Sequence, residues 1–177
     1  VMSYANTDYS ALTWSDAAQY LVDDKGAMHI MGDWTDGWFT SKNYTDYGWA
    51  PVPGTQGTFV ALSDSFAAAK DAPNQENLMN WLKVSGSKAG QEAFNPKKGS
   101  ICARTDCDPA LFNAYLKSAM EDWAKDAIVP SVAHGAAAYE KWATVYKDIL
   151  TTFATNGDVA ATQASLQQAC VDNAICK

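Results

Sequence analysis

An α/β chain, mostly helical with two or three short strands, is what this sequence predicts. Three observations carry that reading. Apolar residues recur at helical spacing in two long stretches: Leu111, Phe112, Tyr115, Leu116, Ala119, Met120 and Trp123, then Tyr139, Trp142, Val145, Tyr146, Ile149 and Leu150. Two short apolar runs, 27–31 and 58–62, are bounded by glycine or turn residues, the pattern of buried strands. Asn156-Gly157-Asp158 sets a helix-stop glycine beside a fresh N-cap, so the C-terminal end reads as two consecutive helices.

Taken in order, Thr13-Trp14-Ser15-Asp16 is a helix start with a Ser or Thr N-cap. Ala17, Ala18, Tyr20, Leu21 and Val22 give that helix a partly apolar face, and Gly26 stops it. The strand 27–31 follows, with His29 inside it as a satisfied core histidine. Gly32, Asp33 and Trp34 then turn the chain into a loop that holds Trp34 and Trp38. Two indoles in such a loop either cover a ligand or a cleft rim, or serve as core aromatics; both readings stand at this point. Residues 40–48 are polar and turn-rich, and WAPVPGTQGT (49–58) is an extended crossing segment. Ser63-Asp64-Ser65 breaks the second strand.

A helix beginning at 71–73 carries Leu78, Met79, Trp81 and Leu82 on one side and ends at Ser85-Gly86-Ser87. A second short helix covers 88–94. Over 95–108 (NPKKGSICARTDCD), Pro and Gly predict irregular structure with Lys97, Lys98 and Arg104 clustered in it. Asp108-Pro109 opens the long helix that holds the first apolar stripe. Val129-Pro130-Ser131 interrupts, His134-Gly135 precedes a helix from 136 to about 153, and the last helix reaches about 170.

The 177 residues suffice for one core or two small lobes. An apolar content of 47%, with seven Trp and eight Tyr, excludes a disordered chain. No apolar run is long enough to span a membrane as a helix. The opening Val-Met-Ser-Tyr has no basic segment followed by an apolar one, so the expectation is a processed or truncated polypeptide without a signal peptide. The net charge of −7, with no basic stripe, argues against a nucleic-acid partner.

Four cysteines stand as two pairs, Cys102 with Cys107 and Cys170 with Cys176. Both spacings are longer than those of zinc sites, and only two histidines accompany them, so no metal is expected. Disulfides in an oxidising compartment are the better reading. Of the three possible connectivities we favour the two local pairings, each closing a short loop.

Catalytic signals are weak. Asp33 and Asp36 form a candidate carboxylate pair for glycoside hydrolysis, but a spacing of three in a loop reads first as solvated. Nothing marks a nucleophile near His134, and Gly54 and Gly57 lie in no nucleotide-binding fingerprint. No cofactor is implied. His134, beside a glycine at a helix start, is placed to act as a hydrogen-bond donor to a ligand.

Five motifs in sequence, GAMHIMGDW, WAPVPGT, FVALSDSF, FNPKKGSICARTD and PSVAHG, give the whole chain a resemblance to a known family. It resembles the C-terminal part of the family 1 extracellular solute-binding proteins of ABC sugar importers, and within them the glucose/mannose-binding branch. The resemblance implies an α/β, periplasmic-binding-protein-like (type II) two-lobed fold, of which this chain is the mostly helical C-terminal portion. It places residues 1–50 and 98–177 in the C-terminal lobe and 51–97 in a segment that crosses to and packs with the other lobe. The implied function is capture of a glucose-like monosaccharide by hinge closure and delivery to a membrane permease, in the periplasm or outside the cell. A lipoprotein anchor is compatible with that place. The motifs match sugar contacts at Trp34, Asp64, Lys98 and His134. An aromatic face suits the C–H face of a pyranose, and Asp, Lys and His suit its hydroxyls.

Cys102 departs from the family, where proline is usual after GSI, and a disulfide to Cys107 would take over its rigidifying role. The family's N-terminal portion has no equivalent in this sequence. Phe66, Leu78, Trp81, Leu82 and Phe94 are therefore expected to lack their packing surface in this chain. Two other classes remain: a glycoside-processing enzyme using Asp33 and Asp36, and an adaptor domain whose aromatics are merely core.

Overall fold

The computed structural model describes residues 2–175, and it is helix-rich with a small parallel sheet. Its compact units are two. The larger comprises Asn6–Gly57 and Ser65–Ala127; the smaller comprises Val1–Ala5, Thr58–Asp64 and Ile128–Lys177.

In the larger unit, α1 (Trp14–Val22) begins as the sequence reads. Thr13 accepts from the Asp16 amide while the Asp16 carboxylate accepts from the Thr13 amide, a complete capping box. The helix ends at Val22, and the Gly26 amide folds back onto the Tyr20 carbonyl. The strand expected over 27–31 does not form. The run is irregular, with Met28 89% and Ile30 71% exposed. A strand exists by pairing its backbone, and no described residue pairs with this one. His29 is correspondingly not a satisfied core residue: its Nδ1 is buried with no hydrogen-bond partner, and burial lowers its pKa.

The aromatic loop is instead a helix, α2 (Trp34–Ser41), since Thr35, Asp36, Gly37 and Phe39 are buried where a loop would leave them wet. Helices α3 (Gln75–Gly86) and α4 (Lys88–Lys98) form a pair, Ser87 capping the second through the Gly90 amide. α4 runs on through Pro96, against the expectation of irregular chain from 95. Proline removes one helical bond, but the last turn is closed from outside it. The Gly99 and Ser100 amides both donate to the Asn95 carbonyl, and the buried Asn95 side chain donates to Gln91. Asp108-Pro109 opens only a single 3-10 turn, Pro109–Leu111. The long helix α5 (Ala114–Lys125) starts later, capped by Asn113 onto the Leu116 amide. Phe112, Leu116 and Ala119 of the first predicted stripe are core, whereas Leu111 and Trp123 are not.

Phe66, Trp81 and Phe94 are about half exposed, and Phe66 meets Trp81 edge-on at 4.9 Å. Leu78 and Leu82 are partly covered.

The smaller unit holds the sheet and the C-terminal helix pair. Strand β1 (Thr58–Ala61) is where the sequence places it, but β2 (Ala127–Pro130) occupies the stretch read as an interruption. The Ala127 amide donates to the Gly57 carbonyl and the Ser131 amide to the Ala61 carbonyl; both partners advance together, so the strands are parallel. Pro130 ends its strand, where a missing amide costs least. Helices α6 (Glu140–Asn156) and α7 (Val159–Asp172) pack on each other across Gly157 (φ 67°), and Asp158 caps α7 through the Ala161 amide. α6 starts four residues later than predicted because 131–137 closes as a turn, the Ala136 and Ala137 amides both donating to Ser131.

The Cys102–Cys107 disulfide is present, Cα atoms 6.5 Å apart. The second pairing rests on Cys176, which lies outside the described residues. In the loop-entropy view a link across five residues contributes about 2 kcal/mol. Reducing this disulfide is expected to lower stability by about that amount in urea denaturation with and without reductant.

Candidate functional site

Two of the four candidate contacts belong to the larger unit, and backbone packing brings them together. A Cβ at Gly37 would lie 2.3 Å from the Lys98 carbonyl oxygen. One at Gly99 would lie 2.3 Å from the Gly37 nitrogen and 2.9 Å from the Asp33 carbonyl oxygen. The first turn of α2 and the last turn of α4 are therefore in backbone contact, which only two glycines permit. Gly99 also takes φ 79°, the left-handed cap that ends α4. Trp34, first residue of α2, and Lys98, last residue of α4, thus sit on touching turns.

Trp34 is partly buried. Its ring lies over Gly32, where a Cβ would come within 2.2 Å of it, and meets Trp14 edge-on at 6.5 Å. Trp38 meets Trp14 and Phe39, with the Lys42 ammonium 5.4 Å over its ring. Lys98 Nζ donates to Ser100 Oγ at 2.9 Å.

Of the two carboxylates near Trp34, Asp36 is buried and Asp33 half-buried, contrary to the loop reading. Asp36 is 3% exposed; Asn113 Nδ2 donates to both its oxygens at 2.9 Å, and the Tyr47 hydroxyl donates to Oδ1. Asp33 accepts from the Tyr115 hydroxyl at 2.8 Å. Burial pushes the Asp33 pKa up, opposed by the Tyr115 bond and the Lys98 charge. Burial, with the neighbouring carboxylates, also holds the Tyr115 and Tyr47 hydroxyls protonated far above neutral pH. Asp33 and Asp36 are thus carboxylates held by a phenol and an amide inside a packed helix start. Asn113 at once caps α5 and binds Asp36, tying α5 to α2.

The other two candidates belong to the smaller unit. Asp64 lies three residues beyond β1 and His134 four beyond β2. Both follow the carboxyl ends of neighbouring parallel strands, the edge at which open α/β sheets bind ligands. Both are exposed. Ser131 is buried and its hydroxyl shares a 2.8 Å hydrogen bond with His134 Nδ1, which orients the ring. His134 is in the turn before α6 and does not cap it; Tyr139 is the N-cap residue.

Sequence reasoning missed Gly37, Gly99, Tyr115 and Asn113. Gly37 looked like one more loop glycine, and Tyr115 like one member of an apolar stripe. Asn113 was overlooked because Asp108-Pro109 is the stronger helix-start signal. Among the described residues no group of three or more His, Cys, Asp or Glu gathers as a metal site, and no helix is long and apolar enough to cross a membrane.

On the larger unit an indole and an ammonium stand on touching helix ends; on the smaller unit a carboxylate and an imidazole follow the strand ends. The chain is similar to an ABC transporter extracellular-binding protein of Pyrococcus horikoshii, 33% identical over 169 residues that make up 92% of this chain and 38% of that one. It is 36% identical over 144 residues to a xylose/arabinose-binding protein of Haloferax volcanii, covering 78% of this chain and 31% of that one. A probable sugar-binding periplasmic protein of Rhizobium meliloti is 33% identical over 144 residues, 75% of this chain and 34% of its own. The chain thus spans between 31% and 39% of the length of the curated relatives it matches. No family model matches it.

Proposed function

We propose that this chain is the C-terminal portion of the substrate-binding component of an ABC importer. The component captures a monosaccharide, glucose-like in its pyranose ring, by hinge closure and hands it to a membrane permease. It works in the periplasm or outside the cell, as the names of its relatives say of them. In this reading residues 1–50 and 98–177 belong to the C-terminal lobe of a type II two-lobed fold, and 51–97 cross to the other lobe. Trp34, Asp64, Lys98 and His134 are the sugar contacts in this reading.

The observation that carries the proposal is the glycine contact between α2 and α4, which sets an indole and an ammonium on touching turns. An indole supplies a flat apolar face for sugar C–H groups, and an ammonium donates to ring hydroxyls. The test is a thermal-shift screen with glucose, mannose, xylose and arabinose, because a ligand that binds only the folded state raises stability. The pentoses are included because a relative is named for them. At least one sugar is expected to raise the melting temperature. Trp34→Ala is expected to weaken its binding by about 1–3 kcal/mol while the sugar-free melting temperature holds. A collapse of that temperature would return Trp34 to the core with Trp14. His134→Ala is expected to cost about 1 kcal/mol of affinity by calorimetry, with stability unchanged, since His134 caps no helix.

The protein is expected to turn over no aryl glycoside. Hydrolysis abolished by Asp33→Asn would favour the enzyme reading of Asp33 and Asp36.

A further inference from the structure

Four aromatic side chains of the larger unit line one cavity of about 410 Å³: Tyr44, Tyr47, Trp49 and Tyr115. They form a continuous chain of ring contacts. Tyr44 and Tyr47 stack nearly parallel at 6.1 Å, Tyr47 meets Trp49 at 6.4 Å and 54°, and Trp49 meets Tyr115 at 5.5 Å and 73°. The successive tilts turn the ring faces through several directions around the cavity. The polar end of each ring is already engaged. Tyr44 donates to the Leu21 carbonyl at 3.3 Å, Tyr47 to Asp36, Trp49 Nε1 to Ser118 Oγ at 3.2 Å and Tyr115 to Asp33. The rings are thereby held in place before any ligand arrives, and what they have left to offer is π surface. Trp49 is 48% exposed, so this surface is open to solvent.

Two features select the ligand. Donors for a polyol are scarce. Asn113 Nδ2 gives its hydrogens to the two Asp36 oxygens and Asn113 Oδ1 accepts from the Leu116 amide, which leaves the Thr40 and Thr45 hydroxyls as side-chain donors at the cavity. A sugar held there would have most of its hydroxyls unmet. The charge is also one-sided. Tyr47 and Tyr115 donate to carboxylates, which pushes electron density into their rings, and no lysine or arginine lines the cavity. Electron-rich faces without a competing side-chain cation suit a cation that asks for no hydrogen bonds. We propose that this cavity is a second ligand site that takes a methylated ammonium group, held by cation–π contact with Tyr47, Trp49 and Tyr115. None of its lining residues is one of the proposed sugar contacts, and the proposal does not rest on the sugar reading.

The test is a titration of the full chain with choline and with its uncharged tert-butyl analogue, followed by calorimetry and by the Trp49 indole N–H resonance. Choline is expected to shift that resonance saturably and to bind about tenfold tighter than the analogue. Trp49→Ala is expected to weaken choline about tenfold, the scale of one desolvated cation–π contact. Its melting temperature is expected to hold, because Trp49 is half exposed. Should that variant fail to fold, Trp49→Leu keeps an apolar side chain and removes the π face; it is expected to lose the preference for choline over the analogue. Equal binding of choline and the analogue would show an apolar cleft only. Glucose moving the Trp49 resonance while choline leaves it still would show a second sugar site. Either result, or no shift with choline at all, overturns the proposal. The sugar reading is decided by the thermal-shift screen and by Trp34→Ala, so the failure of one leaves the other standing.

Discussion

Leu116→Ala is expected to destabilise the protein by about 2–5 kcal/mol, the range for deleting a fully buried leucine side chain. Leu116 is 0% exposed and is the largest side chain buried so completely among the described residues. It lies one turn into α5, and its amide is the donor that Asn113 caps. The same Asn113 holds Asp36, so a cavity at Leu116 loosens the helix that anchors α2. Among the described residues of the larger unit the other buried apolar side chains are Ala18, Phe39, Phe112 and Ala119, too few to collapse into the space. Urea denaturation of the variant measures the loss. A cost below about 1 kcal/mol would show that the site relaxes freely and that α5 is not the centre of the core.

Gly99→Ala is expected to cost about 2–5 kcal/mol: about 1–2 for an L side chain in the left-handed region and about 1–3 for overpacking. The overlap is with backbone, the Gly37 nitrogen at 2.3 Å and the Asp33 carbonyl oxygen at 2.9 Å, so no side chain can swing aside. α4 must move away from α2, and Lys98 moves with it. Two losses are therefore expected together, one in melting temperature and one in sugar affinity. Gly54→Ala is the control. Gly54 also has positive φ (85°) but nothing within 4 Å of an added Cβ, so it carries the conformational cost alone. Equal losses in the two variants would show that the α2–α4 contact is loose.

Much of the helical frame was legible in the residues. The Thr13 capping box, the Ser87 cap, β1 and the Gly157-Asp158 hinge between α6 and α7 are local devices, each complete within about four residues. Where local signals misled, a distant partner decided. The 27–31 run has strand composition but nothing to pair with. β2 has a proline that reads as a break, yet β1 pairs with it because the proline falls at its end. α4 passes its proline because the chain beyond it closes the last turn. Asp33 and Asp36 read as solvated because their partners, Tyr115 and Asn113, lie 82 and 77 residues away in sequence.

Sequence alone determined the mostly helical character and favoured the local Cys102–Cys107 link, while Trp34, Asp64, Lys98 and His134 came forward only through the family resemblance. The first two follow from propensity, capping and loop length, which act over a few bonds. The tertiary structure alone decided that Trp34 opens a helix, that Lys98 ends one, and that two glycines 62 residues apart let those ends touch. It also buried the Asp36 carboxylate. Burial and close backbone approach depend on what the rest of the chain brings alongside, and no local pattern of residues encodes them.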